Sequence, residues 1–127
     1  YFGANRFHAT SHPKARFPLS NLFVAKYTTH GDHMWSIGLG GNKEDAANSL
    51  ALDKEDAAFV AGTYHSSDFE LNGALLPEPQ GRDCLLIKYR IDGRYEWHKQ
   101  FGSRGTDNLK SIAIDEQENI ILAGEVG

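Results

Sequence analysis

Apolar residues come along this chain in short bursts, each closed by a turn signal. "LFVAKYT" (22–28) and "CLLIKYRI" (84–91) are apolar runs rich in β-branched and aromatic residues, the composition of strands. "THGD" and "DGR" follow them as turn signals. "HMWSIGL" (33–39) and "YEWHKQF" (95–101) come next, and alternation in the second puts Tyr95, Trp97 and Lys99 on one face and Glu96, His98 and Gln100 on the other. "SLALD" (49–53) and "SIAID" (111–115) read as short buried strands. Three-residue connections lead from them to "AAFVAGTY" (57–64) and "NIILAGEV" (119–126). No window carries a 3.6-residue period. "NKEDAANSLALDKED" is the nearest to a helix, but its counterpart "RGTDNLKSIAIDEQE" holds Gly105 and a β-branched core. An all-β fold is expected.

The word "counterpart" rests on a repeat. Shifted by 62 residues, 21–65 lies over 83–127 without a gap, with 11 identities in 45 positions. Among them are Lys26/Lys88, Tyr27/Tyr89, Gly31/Gly93, Trp35/Trp97, Gly40/Gly102, Asp45/Asp107, Asp53/Asp115 and Gly62/Gly124. Chance would give about three at ordinary residue frequencies. A weaker third copy leads the chain, with Gly3 in the place of Gly62.

Four short antiparallel strands in a unit of this length make a blade, and repeated blades arranged radially make a β-propeller. The pattern "FVAKY…G…W…GG…D…ALD…FVAGTY…SSDFELNG" resembles the SBBP-type propeller repeat of bacterial surface and secreted proteins, over nearly the whole chain. Repeats of that family carry an Asp-x-x-Gly-Asn turn after the short strand. Here the turns are "DKEDA" and "DEQEN", without Gly, so a hairpin of another turn type is expected. The resemblance also implies that the "ALD" strand lies innermost. The chain is then a single propeller segment, 1–127: a partial blade (1–39), a complete blade (49–101) and a partial blade (110–127). As an incomplete propeller it is expected to need the remaining blades, from the same parent chain or from other copies, to cover Leu52, Ile114, Val60 and Leu122. It is not expected to stand as a monomer.

Composition narrows the function classes. A net charge of −4 over 127 residues gives no support to a nucleic-acid partner. No apolar run reaches about 18 residues, so no helical membrane insertion is expected. Cys84 is the single cysteine and sits in an apolar run, which reads as a buried core residue.

Blade topology sorts the connections by face. The tight ones, 29–32, 54–56, 92–94 and 116–118, fall on one side; the long ones, 40–48, 66–83 and 102–110, fall on the other. Long polar loops on a rigid scaffold are where binding sits. Asn42, Lys43, Asp45, Asp68, Arg82, Arg104, Asp107 and Asn108 are the candidate ligand-binding residues. Asp45 and Asp107 offer oxygens to a cation, but an Asp there more often caps its own loop, and Asp53 and Asp115 read as turn residues. Gly40 and Gly102 are expected at positive φ. Trp35 and Trp97 are expected to pack between blades rather than to stack on sugars. His30 and His33 straddle a turn without a third ligand, and His8 and His12 lie in a loop before Pro13. No metal, cofactor or catalytic set is expected. A lectin would need exposed aromatics on the long loops, where Phe69 is the candidate. The expected function is a non-catalytic binding or scaffold segment of a bacterial cell-surface or secreted propeller, presenting its long loops to a protein or glycan. The alternatives are a structural repeat of a surface fibre or large assembly, and the scaffold part of a propeller hydrolase or lyase whose catalytic residues lie outside this chain.

Overall fold

The computed structural model describes residues 20–127, and the expectations for Gly3, His8 and His12 lie outside them. The described chain is all β. Its elements are β1 (Leu22–Tyr27), β2 (His33–Leu39), β3 (Asp45–Leu52), β4 (Ala58–Tyr64), β5 (Glu70–Leu71), β6 (Ala74–Leu75), β7 (Asp83–Tyr89), β8 (Tyr95–Phe101), β9 (Asn108–Ile114) and β10 (Ile120–Glu125). A four-stranded antiparallel sheet runs β3-β4-β7-β8. β1 and β2 pair on one side of it in the chain, and β9 and β10 on the other, each as a hairpin. These sheets are propeller blades in an incomplete ring.

The two central strands of the middle sheet, β4 and β7, are buried on both faces. Leu22, Val24, Val60, Leu85, Ile87 and Tyr89 form one apolar cluster between β1–β2 and the middle sheet. Phe59, Ala61, Cys84, Leu86, Leu109 and Ile112 form another, between the middle sheet and β9–β10. Two covered faces explain why "AFVAGTY" and "CLLIKY" are apolar throughout instead of alternating. Each fully buried aliphatic side chain contributes about 1.5–3 kcal/mol. Cys84 is 4% exposed, and burial pushes its thiol pKa up, as suits an inert core residue.

All four tight hairpins share one architecture. In the first, Thr28 N–H donates to Asp32 O and Gly31 N–H to Thr28 O. The same pair of bonds closes Asp53–Ala57, Arg90–Arg94 and Asp115–Asn119. This is the three-residue loop whose last residue is left-handed. Gly31 and Gly93 fill that position at φ 88° and 86°. Asp56 and Glu118 fill it at φ 59° and 67°. The expected change of turn type does not occur: the conformation that favours Gly is kept without Gly. Asp53 and Asp115 are turn residues, as expected. Asp53 Oδ1 accepts from the N–H groups of Glu55 and Ala57, and Asp115 Oδ1 from those of Gln117 and Asn119.

Several local expectations are corrected. β3 and β9 begin earlier than "SLALD" and "SIAID" suggest, because "DAA" and "NL" also pair with β4 and β10. Register shifts skip Asn48 and Lys110 in those pairings, at the same position of the repeat. They bring the carbonyls of Ala46 and Asn108 against Gly62 and Gly124, where a Cβ would collide. A third shift skips Glu96 opposite Lys88 and Tyr89. It turns Tyr95 to the first cluster and Trp97 to the second, so the two do not share a face. Gly40 and Gly102 are not at positive φ. They are glycines because the side chains of Asn21 and Asp83 lie where a Cβ would be. Phe69 is 0% exposed and packs against Tyr64, the rings tilted at a centroid distance of 5.4 Å. Val60 is buried already, at 2% exposure, and does not wait for a further blade.

Candidate functional site

The long connections gather at the end of the blades opposite the tight turns, and hydrogen bonds bind them into one rim. Asn42 leads the first connection. Its N–H donates to Asp68 Oδ1 at 2.7 Å and its Nδ2 to Ser67 Oγ at 2.8 Å, while its Oδ1 accepts from Ser67 N–H. Lys43 N–H donates to Ser66 Oγ, whose own proton goes to Asp45. Residues 41–45 and 65–68 are thereby held side by side. The 66–83 connection is folded on itself. β5 and β6 make a small hairpin across Asn72 and Gly73, both left-handed at φ 52° and 80°. Beneath it Phe69, Leu71 and Leu76 are buried, and Tyr64 Oη donates to Pro77 O at 2.8 Å. Arg82 then pairs with Thr106 as a short parallel bridge, and Asp107 N–H donates to Arg82 O.

Asp45 is the hub of the rim. It is 1% exposed, and its carboxylate accepts from the N–H groups of Gly41, His65 and Ser66 and from Ser66 Oγ at 2.5 Å. Burial raises its pKa, and these four bonds pull against that rise. Asp107 does the same work one repeat on. Its oxygens accept from Ser103 N–H, Ser103 Oγ and Gly127 N–H, and the Ser103 N–H bond leads in holding its pKa below the ordinary carboxylate range. Both aspartates are loop caps, as the cap reading expects.

The eight candidate residues therefore divide. Asn42, Asp45, Asp68 and Asp107 are engaged in holding loops together. Asn108 is the first residue of β9, opposite Glu125. Lys43 and Arg104 point their charge into solvent, and Arg82 meets Glu44 at 2.8 Å across two loops, with side chains 38% and 56% exposed. A pair so exposed is worth at most about 1 kcal/mol. His65 sits among these charges. Its pKa is lowered by burial first, then by Lys43 and Arg82. Among the described residues no group of three or more His, Cys, Asp or Glu is placed to hold a metal ion. His33 lies in β2, where Nε2 meets Ser36 Oγ at 3.1 Å and the ring stands edge-on to Tyr27. Trp35 packs between blades as expected: its Nε1 donates to Ile91 O at 3.0 Å and its ring covers Gly93.

The sequence reading passed over Ser66, the donor that locks Asp45, and the β5–β6 hairpin. Both carry a signal. "HSSD" directly after a strand is Ser/Asp turn chemistry, and Asn72-Gly73 is the strongest short hairpin signal.

Sheet order, repeat and rim together define a propeller-type repeat protein. No family model matches the chain. Over 121 residues it is 25% identical to an uncharacterized WD repeat-containing protein, L264, of Acanthamoeba polyphaga mimivirus, an alignment that takes in 86% of this chain and 9% of that protein.

Proposed function

We propose that this chain is a non-catalytic binding and scaffold segment of an SBBP-type propeller protein, exposed at or secreted from a bacterial surface, and that its long-loop rim takes a protein ligand. The observation that carries this reading is the rim itself. Three connections, 40–44, 65–82 and 102–107, are bonded to one another through Asn42, Ser66, Asp68 and Arg82. Binding surfaces are built this way, with charged side chains displayed on a backbone that cannot shift. Lys43, Glu44, Arg82 and Arg104 supply the charge. A protein is favoured over a glycan because Phe69, the candidate stacking platform, is buried. The similarity to a WD repeat-containing protein supports the propeller scaffold, and the SBBP-type pattern supports the bacterial surface.

A photo-crosslinking amino acid placed at 43, 82 or 104 of the chain on intact cells tests this. Protein adducts are expected at these positions and not at 30, 92 or 117 on the tight-turn side. Adducts confined to the tight turns would overturn it, and protection of the chain from protease added outside the cells would overturn the surface location.

A further inference from the structure

The small hairpin of the 66–83 connection turns on Asn72-Gly73. In this dipeptide the side-chain amide lies open to attack from its own backbone. Glycine has no Cβ to shield its nitrogen, and asparagine is among the thermolabile side chains. Six asparagines fall in the described residues, and Asn72 alone precedes a glycine. Its placement also favours reaction. Asn72 and Gly73 are both exposed, at the tip of the hairpin. The Asn72 amide has no hydrogen-bond partner among the described residues. Two other exposed asparagines are held: Asn48 Nδ2 donates to Leu109 O at 2.7 Å, and Asn119 Nδ2 to Asp115 Oδ2 at 3.1 Å.

We propose that Asn72 is a site of spontaneous deamidation, and that its isoaspartate product releases the β5–β6 hairpin from the rim. The Gly73 nitrogen attacks Asn72 Cγ. A bond from that nitrogen to Cγ forms, the Cγ–Nδ2 bond breaks, and ammonia leaves with the Gly73 amide proton. The product is a succinimide ring, which water opens. Water adding at Cγ leaves an aspartate in an unaltered main chain. Water adding at the main-chain carbonyl carbon leaves Gly73 joined through Cγ, as isoaspartate. Only water is consumed, and nothing is oxidised or reduced.

The fold sets both the rate and the consequence. Asn72 and Gly73 are left-handed at φ 52° and 80°. Ring closure takes Asn72 out of this conformation, so the turn opens before it reacts. Opening is easy here, because the hairpin holds two residue pairs, Glu70–Leu75 and Leu71–Ala74, and of these residues only Leu71 is buried. Isoaspartate adds a methylene to the main chain at the tip, together with a free carboxylate. A two-residue turn fits one chain length, so the Leu71–Ala74 pairing is lost. The hairpin covers Phe69, Leu71 and Leu76, and at its base Leu76 N–H donates to Phe69 O at 2.9 Å. Losing the tip frees that base, and one wall of the rim changes shape as the protein ages. The chemistry at Asn72 is independent of what the rim binds.

Peptide mapping by mass spectrometry, after the folded protein has stood in mildly alkaline buffer, tests the site. Conversion of amide to acid is expected at Asn72 ahead of every other described asparagine, with isoaspartate the main product. Hydrogen exchange reads the consequence: the Leu76 amide should be protected in fresh protein and lose that protection in the isoaspartate form. Asn72→Gly removes the amide and keeps the turn, which Gly-Gly suits, so Leu76 should stay protected after the same incubation. Asn72→Asp carries the charge without the added methylene and should keep protection too; it serves as the control should Asn72→Gly fold poorly. Asn72 converting no faster than Asn42, or only once the protein is unfolded, would overturn the site. A Leu76 amide that exchanges freely in fresh protein, or an isoaspartate form that keeps it protected, would overturn the release of the hairpin.

Discussion

At Asp56 and Glu118 the backbone holds a conformation that costs a non-glycine residue about 1–2 kcal/mol. Asp56→Gly should therefore stabilise the chain by about 0.5–1 kcal/mol after the entropy cost of Gly. Glu118→Gly should gain less, because Glu118 Oε1 accepts from Lys54 N–H at 3.1 Å and that bond is lost. Denaturant midpoints check both, and no gain for Asp56→Gly would contradict the turn geometry. The converse pair separates strain from space. Gly31 and Gly93 share a positive φ, but a Cβ at Gly31 meets nothing within 4 Å, whereas at Gly93 it strikes the Trp35 ring. Gly93→Ala should cost more than Gly31→Ala. Two histidines set a pH dependence. Burial, the larger cause, and the Lys99 charge lower the pKa of His98, whose Nδ1 lies 2.7 Å from Tyr95 Oη; burial and the charges of Lys43 and Arg82 lower that of His65. A lowered folded-state pKa means that the unfolded chain takes up protons first. Stability from these groups is full above the ordinary value of 6.5 and is lost as pH falls through it toward the folded values. Melting temperature should fall from pH 7.5 to 5.5, and His65→Gln with His98→Gln should flatten that slope.

Among the elements, those marked by apolar bursts and turn residues were legible: eight of the ten strands in the described residues have their cores in the segments quoted from the sequence. What was not legible has a physical reason in each case. "DAA" is short and made of small residues after one Asp, so its pairing with "GTY" leaves no alternation to read. The skip at Glu96 is a ladder event with no composition of its own, and it reverses the parity argument that had placed Tyr95 beside Trp97. The β5–β6 hairpin is only two residues a side, and its signal, Asn72-Gly73, was hidden in a stretch that reads as loop. Gly62 and Gly124 were seen as repeated residues, but the carbonyl that forbids a Cβ there belongs to the skip in the neighbouring strand. Gly62→Ala should cost about 1–3 kcal/mol, the scale of overpacking a tight site. It should also loosen the amides of 45–49 in hydrogen exchange. Wild-type protection there would contradict the close approach. Tyr64→Phe should cost about 1 kcal/mol by losing the bond to Pro77 O, without moving the sheet.

For the whole molecule, the 62-residue offset proved the most informative feature of the sequence. It carries the turns, the skipped residues at 48 and 110, and the paired aspartates 45 and 107 from one blade to the next. The rim was legible as a set of long polar loops on one end. Its division into structural and displayed residues was not, since Asn42, Asp45 and Asp68 differ from Lys43 and Arg82 only in what they touch. The central claim is that these sheets are consecutive blades of one repeat. A crystal structure of the chain tests it most directly. The account predicts a β3-β4-β7-β8 sheet with Val60 between Leu50 and Ile87, and β1-β2 and β9-β10 superposing on β7-β8 and β3-β4, Trp35 on Trp97. A helix of more than about two turns within 42–56, or hairpins that fail to superpose at that offset, would contradict it.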